Sequence, residues 1–253
     1  MIAMTVTAPT TTVEPVSGAL TFARFAVPPN VLGYCGGSDS DSLLGHLQAG
    51  LDGPELVNLC RAFEGAWPYL MLIARSAGIA DPLDRRVVEA YWLGNRLLDG
   101  VSPTAFRDDL AGRFRPRTRP AEWRWLAAKP GDGSRPHHSF HVLEVMPRIG
   151  MLRAGQVSAI LPAMEQCLIR PACVVRAAPD GIVVAVRPLL ILDGQLVLGP
   201  AIDQTVAGGG EALQPGDDVA VHWSWSCGRL TAGQRRRLEA VTSDALARAN
   251  TTI

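Results

Sequence analysis

The chain carries a single lysine, Lys129, and its 24 basic residues are balanced by 24 acidic ones. Zero formal net charge leaves no basic footprint for nucleic acid and none for an anionic membrane surface. No apolar run reaches the roughly 18 residues needed to span a bilayer, so no membrane partner is expected. Met1 to Ser17 is rich in Thr, Pro and Val and lacks both the positive n-region and the continuous apolar h-region of a signal peptide. A disordered tail over residues 1–19 on a cytoplasmic protein is expected. The five cysteines (Cys35, Cys60, Cys167, Cys173, Cys227) are scattered and include no C-x-x-C pair. That pattern excludes a disulfide framework and a zinc-finger ligand set, and predicts reduced thiols. There is no H-E-x-x-H, no Glu-x-x-His pair and no internal repeat.

What is present divides into two textures. At 253 residues, 47% of them hydrophobic, the chain is long enough to bury a substantial core in one large or two small domains. Residues 22–40 hold Pro28-Pro29 and three glycines and are predicted to form an irregular entry. Ser40 or Asp41 caps a short helix to Leu51. Pro54 opens another to about Gly78, kinked at Pro68. Asp81-Pro82 starts a third, ending at Gly100, and Ser102-Pro103 a fourth, to about Phe114. Residues 115–136 read as a loop pinned by Trp123 and Trp125. His137 to Val145 reads as helical, and a further helix runs from about Gly155 to Glu165. After Cys167 the pattern changes to short β-branched runs at Ala172–Ala177, Gly181–Leu192, Gln195–Leu198 and Val219–Trp225, with Asp193-Gly194 a hairpin signal. Thr231 caps a terminal amphipathic helix with Leu238, Val241, Ala245 and Leu246 on its apolar stripe. The expected fold is α+β: a mainly helical domain (20–165) followed by a small OB-like β-barrel with a C-terminal helix (166–253).

Three of the five histidines fall within five residues. On a helix His137 and His141 are four apart, His138 and His141 three apart, and Glu144 follows on the side of His141. Imidazoles and a carboxylate on one face fit a metal or heme site, general acid–base work, or hydrogen-bonded core histidines. Cys35 lies in the glycine-rich turn Tyr34-Cys35-Gly36-Gly37, where exposed N–H groups lower a thiol pKa. Paired with His138 or His141 it would form a nucleophile–base pair or a ligand set; alone, it fills a gap in a tight turn. Glu89 and Asn95 either line a pocket, as a further acid–base group and a cofactor contact, or face water. Tyr34 and His137 are further candidates for cofactor contact.

Two resemblances add to this reading. Cys167-Leu168-Ile169-Arg170-Pro171-Ala172-Cys173-Val174-Val175 resembles the opening of the small iron chaperones of nickel–iron hydrogenase maturation. Pro215-Gly216-Asp217-Asp218-Val219-Ala220-Val221-His222-Trp223 resembles their closing strand, and order and spacing agree over about 80 residues. The resemblance implies that Cys167 and His222 hold an iron species for transfer to a hydrogenase large subunit or another metalloprotein. Cys35 with His137, His138 and His141 is expected to form a second site in the helical domain, His141 being a further candidate metal ligand. The chain departs from those chaperones in that Cys167 is internal and Arg170-Pro171-Ala172 replaces their Pro-Gly. The whole chain also resembles an uncharacterised actinobacterial family, whose genes often neighbour hydrogenase genes. Pro28 to Gly36, Val88 to Asn95 and His137 to Val142 carry that likeness. The leading expectation is therefore an assembly or maturation factor for iron. The rival is a heme- or metal-dependent enzyme of specialised metabolism, acting on a small-molecule substrate through His137, His138 and His141.

Overall fold

A computed structural model describes residues 16–149, 157–208 and 210–251; the expected N-terminal tail lies almost wholly outside them. The helices in order are α1 (Gly18–Val31), α2 (Ser40–Ala49), α3 (Pro54–Arg61), α4 (Trp67–Ser76), α5 (Arg85–Trp92), α6 (Pro103–Phe114), α7 (Pro120–Ala128), the single turn α8 (His138–Phe140), α9 (Met146–Ile149), α10 (Val157–Cys167) and α11 (Ala232–Asn250). A π-helical turn, His141–Val145, joins α8 to α9. The strands are β1 (Arg170–Ala178), β2 (Gly181–Val186), β3 (Leu189–Leu192), β4 (Gln195–Leu198), β5 (Ile202–Val206), β6 (Asp218–His222) and β7 (Trp225–Arg229).

The α+β expectation holds, with corrections. The Pro28-Pro29 segment is helical: Ser17 caps α1, and both prolines sit in its last turn, where their missing N–H groups cost the helix only the bonds to the carbonyls four residues back. The long helix expected from Pro54 is broken rather than kinked, because Pro68 occupies the first turn of α4. The segment Arg96–Gly100 is a separate 3-10 turn, capped by the Asn95 side chain, which accepts from the Leu97 N–H. Trp123 and Trp125 sit in a true helix, α7. Pro188 ends β2 before β3, and the segments of β5 and β7 are strands that hydrophobic alternation did not expose. Asp193 and Gly194 both take positive φ, as a two-residue hairpin requires.

Five strands form an antiparallel sheet in the order β5-β2-β1-β6-β7, while β3 and β4 form a separate hairpin. The sheet curls until Ala207, just past β5, bridges Trp225 at the start of β7. No ladder closes it, so among the described residues there is no closed barrel. Its concave face holds Ala172, Val174, Val184, Val186, Val206, Val219 and Val221. The main core is built by α1, α4 and α5 and extends without interruption to Ile169, Ala220 and Cys227 of the sheet region and Leu238 of α11. A third cluster packs Val142 and Leu143 of the π turn against α10, the β3–β4 hairpin and α11.

The π turn is fixed by charge. Glu144 is buried, and its carboxylate meets Lys129 Nζ at 3.3 Å, Arg248 Nε at 3.4 Å and the Ser134 hydroxyl at 2.9 Å. The lone lysine is also buried, with its ammonium 4.7 Å from the Trp125 ring centre. Removing one member of such a pair strands the other in low dielectric. Lys129→Met is expected to cost about 3 kcal/mol by urea denaturation, with part recovered when Glu144→Gln is added. A cost near zero for the single substitution would show that the cluster does not hold the turn.

Candidate metal centre

The site begins with a missing hydrogen-bond donor. In α1, residue 29 would ordinarily donate its N–H to the carbonyl of Phe25, four residues back. Pro29 has no N–H, so that carbonyl is left for another donor. It accepts from His222 Nδ1 at 2.7 Å, across 197 residues of chain. A carbonyl only accepts, so the proton of His222 sits on Nδ1 and its Nε2 is a bare lone pair. Nε2 is buried and makes no hydrogen bond of normal geometry, although the Cys167 carbonyl lies toward it.

His138 is set from two sides. Its Nε2 lies 2.8 Å from the carbonyl of Cys167 and therefore carries the proton. Its Nδ1 lies 3.2 Å from the Tyr91 hydroxyl, which donates to it. The Tyr91 hydroxyl can accept as well as donate, so it supports either tautomer of His138. Cys167 ends α10, and its Sγ lies 3.7 Å from His138 Nε2. The ligand-capable atoms of His138, Cys167 and His222 all lie within 4.8 Å of one another. The two imidazole rings meet edge to face, with centres 5.2 Å apart.

These three side chains border a cavity of about 230 Å³ whose other walls are mostly apolar, among them Phe63, Tyr91, Trp92, Met146 and Ile160. Its mouth lies beside Tyr34, which is half exposed and whose ring lies 4.2 Å from that of Trp223. Trp223 and Ser224 form the two-residue turn between β6 and β7, and both have positive φ, 50° and 55°. Such a conformation costs a non-glycine residue roughly 1–2 kcal/mol. Gln166 holds the turn: its carbonyl accepts from the Trp223 N–H at 2.9 Å and its side chain from the Ser224 hydroxyl at 3.0 Å. Thus the residue before Cys167 clamps the residue after His222.

Burial dominates the electrostatics. It pushes the pKa of His138 down to about 4 and holds that of His222 well below the ordinary imidazole value, with His138 adding to the effect and the Phe25 and Cys167 backbone opposing it. Cys167 keeps some residue exposure, yet the protein around its thiol, helped by Cys35 and opposed by Trp223, raises it to about 12. In the absence of a metal the trio is therefore neutral at pH 7: two imidazoles and a thiol.

The model of a family of unknown function, DUF6390, matches residues 14–253. The chain belongs to DUF6390. No curated protein and no solved structure matches it. The centre of this DUF6390 protein is therefore described by its own residues.

The structure joins two sites that the sequence kept apart. Cys167 and His222, paired through a resemblance, meet His138 of the histidine cluster, and His141 lines the same cavity with a buried, unpartnered Nδ1. Cys35 and Tyr34 line it too, at the rim. Asn30 Nδ2 donates to the carbonyls of Cys35 and Gly37, both at 2.8 Å, and fixes their loop. At Gly36 (φ +87°) a Cβ would stand 2.6 Å from the Phe63 ring, so the loop lies on the cavity wall only because that residue is glycine. Although residue 35 is exposed, its surroundings raise its thiol to about 12, so the expected reactive thiolate is absent.

Other candidates lie elsewhere. His137 is turned away: its Nδ1 accepts from the Ser139 N–H at 3.0 Å and caps α8. Glu89 accepts from Asn95 at 3.2 Å and from Gln234 of α11 at 2.9 Å, so this pair ties α5 to α11 outside the cavity. Glu144 faces Lys129 rather than His141 because the π turn rotates the helix face between them. Sequence reasoning missed Pro29 and Trp223 as site builders and placed Tyr91 in the core alone. The adjacency of Pro29 to a helix carbonyl is legible only once α1 is known to be a helix.

Burial of His137, His138, His141 and His222 in neutral form sets a pH response, with His137 and His141 pushed down to about 3. Their folded values lie below the unfolded 6.5, so the unfolded chain binds more protons as pH falls through 6.5. Each histidine then withdraws up to about 1.4 kcal/mol of stability per pH unit until its folded pKa is reached. The urea midpoint of metal-free protein should fall steeply from pH 7.5 to pH 5; a flat profile over that range would contradict the burial of these neutral rings.

Proposed function

We propose that this protein is a metal-binding protein in which His138, Cys167 and His222 hold one late first-row transition-metal ion at the edge of a small-molecule cavity. The observation that carries the reading is the convergence of two imidazoles and a thiol within 4.8 Å, one imidazole nitrogen being a buried lone pair that makes no hydrogen bond of normal geometry. That nitrogen is already oriented by a backbone carbonyl behind it, the usual outer support of a ligating histidine. Two nitrogen donors and one thiolate suit iron, copper, nickel or zinc; the resemblance to iron chaperones favours iron. When bound, the ion supplies Lewis-acid or redox chemistry at the cavity wall. His138 would exchange its bond to the Cys167 carbonyl for ligation, with its proton moving to the side of Tyr91.

The enclosed geometry favours a metal-dependent enzyme of small-molecule metabolism over a pure carrier. His138 is 6% exposed and His222 1% exposed, so a client protein has no direct approach to either ring. A carrier reading, in which the ion is cargo for a hydrogenase or another metalloprotein, draws on Cys35, a second thiol at the mouth of the same cavity. The curled sheet is then an opened form of the chaperone barrel. The cavity volume of about 230 Å³ favours a small molecule there over a heme.

Anaerobic titration of the purified full chain with cobalt(II) should give one equivalent bound and a thiolate charge-transfer band. Cys167→Ala should abolish the band, and His222→Ala should weaken binding at least tenfold. A band that persists in Cys167→Ala, or no stoichiometric binding, rejects the centre. Pro29→Ala tests how His222 is oriented, because it restores an N–H that competes for the Phe25 carbonyl. Cobalt affinity should drop about tenfold while the thermal midpoint stays level or rises; unchanged affinity would show that the carbonyl does not orient the ring.

A further inference from the structure

The cavity beside the trio has a chemical character of its own. Its walls are formed by Phe63, Tyr91, Trp92, Trp223, Ile160 and Met146, and among the described residues no Lys, Arg, Asp or Glu lines it. In the metal-free protein an ionised molecule inside it would lose its hydration and meet no counter-charge from the described residues. Four of its polar lining residues are Cys167, His138, His222 with its bare Nε2 and His141 with its unpartnered Nδ1. At the mouth, the turn that carries Trp223 is held in a left-handed conformation against its own preference. Strain of that kind persists where the surroundings enforce it, and here it sets the indole on the cavity wall, with its N–H buried toward the Cys167 thiol. An apolar cavity of about 150 Å³ accommodates benzene. By volume, a space of about 230 Å³ takes an apolar molecule of about nine heavy atoms.

We infer that the cavity binds a neutral, ring-containing small molecule with one polar atom, the ring lying among the aromatic walls and the polar atom facing His222 Nε2 or the metal held there. This deepens the metal-centre reading and rests on it for the role of the ligand, while the cavity itself is present without metal. Trp223 is a specificity-determining residue in this inference: its indole closes the apolar side, and its strained backbone is the consequence of that placement.

The test uses the metal-free full chain and two aromatic probes that both fit the cavity by volume, p-cresol (neutral, one O–H) and benzoate (an anion), read by calorimetry and by thermal shift. p-Cresol is expected to bind saturably and to raise the thermal midpoint, with benzoate at least tenfold weaker. Ala163→Phe, which fills the cavity from α10, should abolish p-cresol binding. Trp223→Gly removes the wall and relieves the left-handed strain; it should weaken p-cresol at least tenfold without lowering the thermal midpoint of the unliganded protein, and so covers the case in which Ala163→Phe fails to fold. Equal binding of both probes, no binding of p-cresol, or p-cresol binding that survives both substitutions overturns the inference. Cobalt titration of the same preparation separates the two readings. Cobalt bound with p-cresol excluded leaves the metal centre standing and removes the ligand class. p-Cresol bound without cobalt does the reverse.

Discussion

The hydrogen bond from His222 Nδ1 to the Phe25 carbonyl links the first helix to the sheet, and the geometry of the centre follows from it. A helical carbonyl is normally taken by its own helix, and here it is free because Pro29 follows four residues later. The bond fixes the tautomer of a buried ring and leaves its other nitrogen a lone pair aimed at the trio. It also spans the chain from α1 to β6, so the centre exists only when the helical part and the sheet are packed together. The uninterrupted core from Phe22 to Ala220 and Cys227 is the packing that makes this possible.

The centre is costly to the apo protein. Buried imidazoles lose hydration, an unpartnered nitrogen forfeits a hydrogen bond worth about 1–3 kcal/mol, and the Trp223-Ser224 turn adds backbone strain. Proteins retain such groups at sites whose ligands repay them. A bound cation would answer the bare nitrogen and the thiol together, and a small molecule in the cavity would replace void with contact. The charges that do hold the fold, Lys129, Glu144 and Arg248, sit on the far side of the π turn. The turn thus separates a structural ion cluster from a neutral site within a few residues, sending Glu144 one way and His141 the other.

Much of the fold was legible in the sequence. The caps at Ser102 and Thr231, the Asp193-Gly194 hairpin and the change of texture after Cys167 are local signals, and local signals survive packing. The Pro28-Pro29 helix was not legible, since two prolines read as an interruption unless they are known to lie at a helix end. Strands β5 and β7 carry too many polar and small residues (Asp203, Gln204, Ser226, Gly228) to show an apolar alternation. For the site, Cys167, His222 and the histidine cluster were each visible as residue types. Their union was not, because it depends on α8 lying over the end of α10, a tertiary fact. Glu89 and Asn95 looked like site residues because a carboxylate and an amide close in sequence fit a pocket and a helix-to-helix tie equally well.

X-ray absorption on zinc-loaded protein tests ligation by His138, Cys167 and His222, because it counts ligand atoms by element. The expected shell is one sulfur at about 2.3 Å and nitrogen donors at about 2.0–2.1 Å, with the sulfur lost in Cys167→Ser and the imidazole signal reduced in His138→Ala and His222→Ala. A first shell of light atoms alone, or a sulfur shell that persists in Cys167→Ser, would place the metal elsewhere and contradict the account.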